Sequence, residues 1–427
     1  MTKEERQKIR DLIQQEVVLA TGCTEPGAVA LCVTKARELL GGMPDNVELK
    51  LSKNVFKNAM GVGIPGTGMI GLPIAVAMAV TAGNSERQLE VLTITASQVE
   101  EAKLWLANNA ELIHIGVKEN CDKLYIESTC RKGSSAATAV IAKRHTNFVL
   151  LQKDGETILD TRTGTTDAQD KANAKHQAEQ LTARIVFDYA TTAPIEELEF
   201  IRETVRYNHA ASDEGLNGYG LNVGKILMEN ASGDIVHTVV ARTVAASDAR
   251  MDGCTLPIYS NSGSGNQGIA CTLPVYEYGR AKGCDEEHIT RALVLSHLMS
   301  IYIKRGIGRL SALCGIVNAS MGVTCGIVYL HGGGFEQVSF AIKNLINTVA
   351  GMVCDGAKPS CALKMSTGLY SAFVSAELAW HNRVVDCTDG ISEKDIDCSI
   401  RNLGRLGKDG MNQTDDMVLD IMTHKQM

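Results

Sequence analysis

Aromatic side chains are scarce in this chain, at 4% of 427 residues, and basic charge is not in excess. There are 42 Lys and Arg against 49 Asp and Glu, a formal charge of −7. That balance argues against nucleic acid or an anionic membrane as the main partner. No apolar run reaches the ~18–20 residues of a membrane span. The longest candidate, 72–80, is short and contains Pro73. The first residues, Met-Thr-Lys-Glu-Glu-Arg-Gln-Lys, are charged with no apolar stretch behind them, so they do not read as a secretory signal. These absences predict a cytoplasmic protein with neither nucleic acid nor membrane as partner.

Other signatures are missing too. The 13 cysteines are scattered, without the dense spacing of a disulfide scaffold. They form neither paired Cys-x-x-Cys zinc sites nor a ferredoxin run. Most of them read as small buried hydrophobes, and Cys32, on an apolar face with Ala28, Leu31 and Ala36, fits that reading. The glycine-rich segment starting at Met60 lacks the Lys-Ser/Thr ending of a phosphate loop, and its glycines lack dinucleotide spacing.

What is present is an ordinary globular composition, 44% hydrophobic and 21% charged. The length suggests two domains, and 40 glycines suggest close helix packing. Thr2 and Glu5 form a capping box that opens a helix to about Leu19. Thr24-Glu25-Pro26 opens a second, which ends at Gly41-Gly42. Period-two patterns then appear at 47–51, 91–94, 113–117 and 123–127, followed by a hairpin of 136–144 with 146–152. The polar stretch 161–175 reads as a linker. Beyond Pro194, apolar helical periods dominate at 195–208, 224–228 onward, 289–303, 315–329, 335–353 and 361–377. The expected fold class is α+β: a mixed α/β module over 1–190, then a mainly helical domain over 191–427. The helices of 1–42 are free to pack on either.

Four cysteines stand out by position. Cys314 precedes Gly315 at a helix break, while Cys354 and Cys361 flank a turn containing Pro359. The expected helix end at 353 and helix start at 361 let the last two thiols face one point, with free N–H groups nearby. On spacing alone, buried structural cysteines remain the favoured reading of all three. Cys23, in Gly22-Cys23-Thr24-Glu25-Pro26, precedes a capped helix whose dipole stabilises a thiolate and lowers its pKa. That makes it a candidate base or nucleophile, with simple space-filling an even alternative. The segment Ser260-Asn-Ser-Gly-Ser-Gly-Asn-Gln-Gly offers the Asn261, Asn266 and Gln267 amides and backbone N–H groups to a small carboxylate. His145 reads as a loop histidine, Asp213-Glu214 as turn chemistry, and Lys364 lacks the phosphate pattern of a pyridoxal site.

Gly22-Cys23-Thr24-Glu25-Pro26, Gly63-Ile-Pro-Gly-Thr-Gly, Gly263-Ser-Gly-Asn-Gln-Gly and Cys354-Asp-Gly-Ala-Lys-Pro-Ser-Cys361 together resemble the L-cysteine desulfidases. These belong with the iron–sulfur L-serine dehydratases. The match runs in order along nearly the whole chain. The resemblance implies a [4Fe–4S] cluster held by Cys314, Cys354 and Cys361 and a proton-abstracting Cys23. It also implies a helical iron–sulfur catalytic domain and a small amino-acid substrate, and a homo-oligomer is compatible with it. Cys325 is a rival ligand and is assigned to the core. The serine dehydratases place a longer segment between their last two ligands and carry a Ser-Ser-His-Thr type motif where this chain has Gly-Cys-Thr-Glu-Pro. Cysteine as substrate therefore follows from the desulfidase branch. An L-serine dehydratase, a non-enzymatic iron–sulfur sensor and a metal-free fold remain as other readings.

Overall fold

The computed structural model describes residues 1–162, 181–308 and 310–424. Most of the expected linker, 161–175, lies outside these residues.

Helix α1 (Lys3–Glu16) starts with the expected capping box. The Glu5 N–H donates to Thr2 Oγ1 at 3.2 Å, and the Thr2 N–H donates back to the Glu5 carboxylate at 2.6 Å. Such a cap is worth about 1 kcal/mol. Strand β1 (Leu19–Ala20) follows, and then α2 (Thr24–Leu40), which stops at Gly41 with φ +82°. Alternation buries Val47, Leu49 and Leu51 of β2 (Asn46–Leu51). After α3 (Lys53–Ala59), β3 (Gly63–Ile64) and β4 (Met69–Ile70) make a small hairpin. The apolar run at 72–80 becomes α4 (Leu72–Ala82), with Pro73 tolerated in its first turn.

The period-two reading of 91–94 is not a strand. A 3-10 turn over Ser85–Glu90 packs on α2, and the chain then runs through a loop to Thr95, which caps α5 (Ala96–Asn109). Val91 and Leu92 are buried there as loop anchors, an apolar pair too short for periodicity to classify. Strands β5 (Ile113–Val117), β6 (Tyr125–Lys132), β7 (Ser135–Ala142), β8 (Phe148–Lys153) and β9 (Glu156–Asp160) complete a six-stranded sheet. Its order is β5-β2-β6-β7-β8-β9, antiparallel except for the β2–β5 pair. One face is covered by α2, and α4 and α5 add to the same core.

The chain from 183 on is mainly helical. It contains α6 (Ala183–Thr192), α7 (Glu203–Gly215), α8 (Val223–Glu229), α9 (Ile235–Met251), short β10 (Ile258–Tyr259) and α10 (Gly265–Ala281). Then come α11 (Glu286–Ile307), α12 (Gly315–Leu330), α13 (Phe335–Val349), α14 (Cys361–Trp380), α15 (Ile396–Arg405) and α16 (Asn412–Thr423). The central element is α12, which carries no charge, is buried throughout 316–328 and touches α10, α11, α13 and α14. A Cβ at Gly322 would lie 2.2 Å from the Ser296 carbonyl oxygen, so α11 approaches this closely only because the residue is glycine. The two N-terminal helices separate: Ile9 and Ile13 of α1 join the helical core, whereas α2 belongs to the sheet core. β1 pairs with β10, and the Val18 and Glu16 carbonyls accept the Ser260 and Ser262 N–H groups. The architecture is α+β, with the helical part C-terminal.

Candidate active site

Cys314 is the N-cap of α12, and Cys361 is the first residue of α14. Helix α13 ends at Val349, four residues earlier than the pattern suggests, so Cys354 is not at a helix end. Instead the chain extends and pairs with 312–314. The Cys314 N–H donates to the Met352 carbonyl at 2.9 Å, and the Cys354 N–H to the Ala312 carbonyl at 2.6 Å. This bridge sets the Cys314 and Cys354 thiols side by side. The hydrogen bond from Cys314 draws Cys354 below the ordinary thiol range, with Lys57, the Gly356 N–H and Lys364 acting in the same direction against burial. Cys314, the donor, is pushed up by that bond and by burial. Burial raises Cys361. Lysines lace the loop: Lys364 pairs with Asp355 and donates to the Val353 carbonyl at 2.8 Å, and Lys358 lies 2.7 Å from Asp355 Oδ2.

Cys23 is the N-cap of α2, as its motif suggests, and Gly22 adopts φ +67° with Pro65 packed where a side chain would sit. The expected lowering of its pKa does not hold. Cys23 is only 6% exposed, and burial pushes the thiol up to about 11 against the opposing pull of Arg250. The helix dipole is too weak to offset that loss of solvation. Arg250, near the C-terminal end of α9, organises this corner. One of its terminal nitrogens donates to Cys23 Sγ at 3.2 Å and to the Gly22 carbonyl at 3.1 Å, and the other donates to Asn266 Oδ1 at 3.2 Å.

The 260–268 segment is an ordered turn leading into α10, with Ser264 as its N-cap. Asn266 and Gln267 face the same cavity as the four cysteines. Gln267 Oε1 accepts from Asn318 Nδ2 at 2.7 Å, which leaves its NH2 as the group it offers to a bound molecule. Asn261 stands behind the wall instead. Its NH2 donates to the His297 carbonyl and to Nδ1, both at 3.1 Å, and its Oδ1 accepts from Ser262. Thr272 donates to the Gly268 carbonyl, so His297 Nε2 must be the protonated nitrogen donating to Thr272. Burial holds His297 neutral, with its pKa lowered to about 3.

The cavity measures about 140 Å³, well below the ~300–1,000 Å³ of drug-sized ligand pockets. Its wall also carries Glu25, Asn58, His145, Arg250 and Lys304. Glu25 accepts from Thr24 and Asn58, both at 3.0 Å. Sequence reasoning missed Arg250 and Lys304, which sit in helices with no local motif, and it left His145 as an ordinary loop residue. Only the turn between β7 and β8, which carries His145 to the wall, separates that histidine from any other. Cys325 is buried in α12 and donates to the Met321 carbonyl. Among the described residues, no three of His, Cys, Asp and Glu converge closely enough to share a single metal ion. No helix among them is long and apolar enough to cross a membrane.

The helical core and its cysteine-lined cavity define the class. Residues 86–420 match the family described as the serine dehydratase alpha chain, and the chain belongs to that family. Over its full length it is similar to proteins named UPF0597. The one from Bacteroides fragilis is 51% identical over 433 residues, with 100% of both chains covered. Those from Porphyromonas gingivalis and Oleidesulfovibrio alaskensis are 48% and 44% identical, again over 100% of both chains. The family match takes in Cys314, Cys354 and Cys361 and begins after Cys23.

Proposed function

We propose that this chain is an iron–sulfur lyase that removes the β-thiol of L-cysteine. It would release hydrogen sulfide and 2-aminoacrylate, which hydrolyses to pyruvate and ammonia. One observation carries the reading: Cys23 and the thiols of Cys314, Cys354 and Cys361 line a single small cavity that also holds both signs of charge. Membership of a family named for a dehydratase supports β-elimination, the reaction class that serine dehydration and cysteine desulfidation share.

The donor set suits a [4Fe–4S] cluster. All three candidate ligands are soft thiols, two of them lie close enough to shift each other's pKa, and Lys57 and Lys364 offset the negative charge that thiolates would add. Bound by three thiolates, the cluster would supply Lewis acidity from an iron without a protein ligand.

The chain's own residues do the rest. In its thiolate form Cys23 Sγ would take the Cα proton, and the Arg250 guanidinium beside it, which pulls against the rise that burial causes, favours that form and aligns it. Arg250 and Lys304 make the cavity attractive to the substrate carboxylate, and Glu25 is the carboxylate available to its ammonium group. The Asn266 and Gln267 amides orient the substrate, whereas Asn261 acts on the wall from behind. The small volume excludes bulky side chains. Burial keeps the departing thiol away from bulk water.

A second reading follows from the family's name: L-serine as substrate, with water leaving in place of sulfide. The test is an anaerobic assay with cysteine and serine side by side, scoring sulfide and pyruvate. Equal amounts of both from cysteine support the desulfidase. Pyruvate from serine alone selects the dehydratase, and no product from either refutes both.

A further inference from the structure

The elimination uses Cys354 as a ligand and, beyond the charge of Lys57, gives no role to the buried ion pair beside it. Lys57, on α3, has a side chain only 2% exposed. Its ammonium lies 2.6 Å from Asp415 Oδ1 of α16 and donates to the Cys354 carbonyl at 3.2 Å. Three distant parts of the chain therefore meet at one charge. Gly356, at φ +90°, lies against the same residue: a Cβ there would be 2.1 Å from the Lys57 carbonyl oxygen, so the loop after Cys354 rests directly on α3. One turn earlier, Lys53 pairs with Asp416 of α16 at 3.0 Å. Asn58, the residue after Lys57, reaches Glu25 in the cavity wall. Helix α3 thus braces both corners of the site, and α16 holds α3 while contributing nothing to the cavity lining.

A buried ion pair is a poor source of stability, because desolvating two charges offsets their attraction and apolar residues of the same size often do as well. Its value here is geometric: the third partner of the ammonium is the backbone of a candidate ligand. We propose that the Lys57–Asp415 pair is a positioning clamp on the 354–361 loop, through which the C-terminal helix α16 sets how firmly the three thiols hold an iron–sulfur group. The inference rests on Cys314, Cys354 and Cys361 being the ligands.

Two measurements on the full chain test it. The double substitution Lys57→Met with Asp415→Leu removes both charges without stranding either. In the iron-free protein, hydrogen exchange of the backbone amides over 352–361 should accelerate, with exchange in α12 unchanged. In anaerobically reconstituted protein, iron release to a chelator should quicken by about 10-fold or more, the scale seen when residues supporting a metal ligand are replaced. Unchanged exchange together with unchanged release overturns the clamp. If the unmodified protein takes up no iron, the ligand assignment fails, and the exchange measurement still decides whether the pair restrains the loop. Should the double variant not fold, Asp415→Asn keeps a hydrogen-bond partner for Lys57, and a smaller change of the same sign is expected in both readouts. No change in either again overturns the proposal.

Discussion

In two corners of one cavity the surroundings displace cysteine pKa values in opposite directions. At the first, burial outweighs the pull of Arg250 and raises the Cys23 pKa. At the second, Cys354 is partly exposed, and the neighbouring Cys314 thiol, a backbone N–H and two lysines together outweigh its desolvation. The difference shows that helix-end position alone does not make a thiolate. Local donors and cations do.

The strongest way to break this comparison is to remove the second corner. Cys354→Ala should bleach the anaerobically purified protein and abolish turnover, as read by iron analysis and absorbance. Full iron retention would remove Cys354 from the ligand set. At the first corner, Cys23→Ala should keep its iron yet lose on the order of 10²–10⁴-fold in sulfide release, the usual contribution of a general base. Undiminished turnover would leave Cys23 as packing.

A smaller effect is expected from Arg250→Lys. The ammonium cannot serve Cys23, Gly22 and Asn266 at once as the planar fork does. Turnover should fall roughly 10–100-fold at constant iron, matching the loss of one hydrogen bond to a charged group, about 1.5–3 kcal/mol. An unchanged rate would mean that the arginine does not serve the thiolate.

The gentlest probe is acid. His297, which backs the first corner through Asn261, has a folded pKa near 3 against 6.5 for the free side chain. Above pH 6.5 both states are neutral, so its contribution is fully present. Between 6.5 and about 3 only the unfolded chain takes the proton, so stability falls as pH falls, by up to about 1.4 kcal/mol per pH unit. Denaturant melts from pH 7 to 4 should show this slope in the native protein and lose it in His297→Gln. Parallel curves would refute the neutral, buried assignment.

Local chemistry made much of the scaffold legible. The Thr2–Glu5 box, Gly41 at the end of α2 and the alternation of β2 each follow from a few adjacent residues. So did the positions of Cys23, Cys314 and Cys361 at helix starts. The 91–94 segment misled because so short a stretch, Val-Leu-Thr-Ile, fits a strand and a loop anchor equally well. The end of α13 misled because a pairing with 312–314, invisible from either segment alone, competes with helix there. Asn261 looked like its neighbours Asn266 and Gln267, yet His297, 36 positions away, claims its amide. Arg250 and Lys304 carried no signal because helical burial, and not a motif, delivers them to the cavity.

The pairing of β1 with β10 has a consequence for synthesis. Val18 bonds to Ser260, 242 positions later, so the chain's first segments leave the ribosome long before their partners exist. The cavity wall around Ser262 therefore closes only after most of the protein has been translated, and non-local closures of this kind are slow steps in folding.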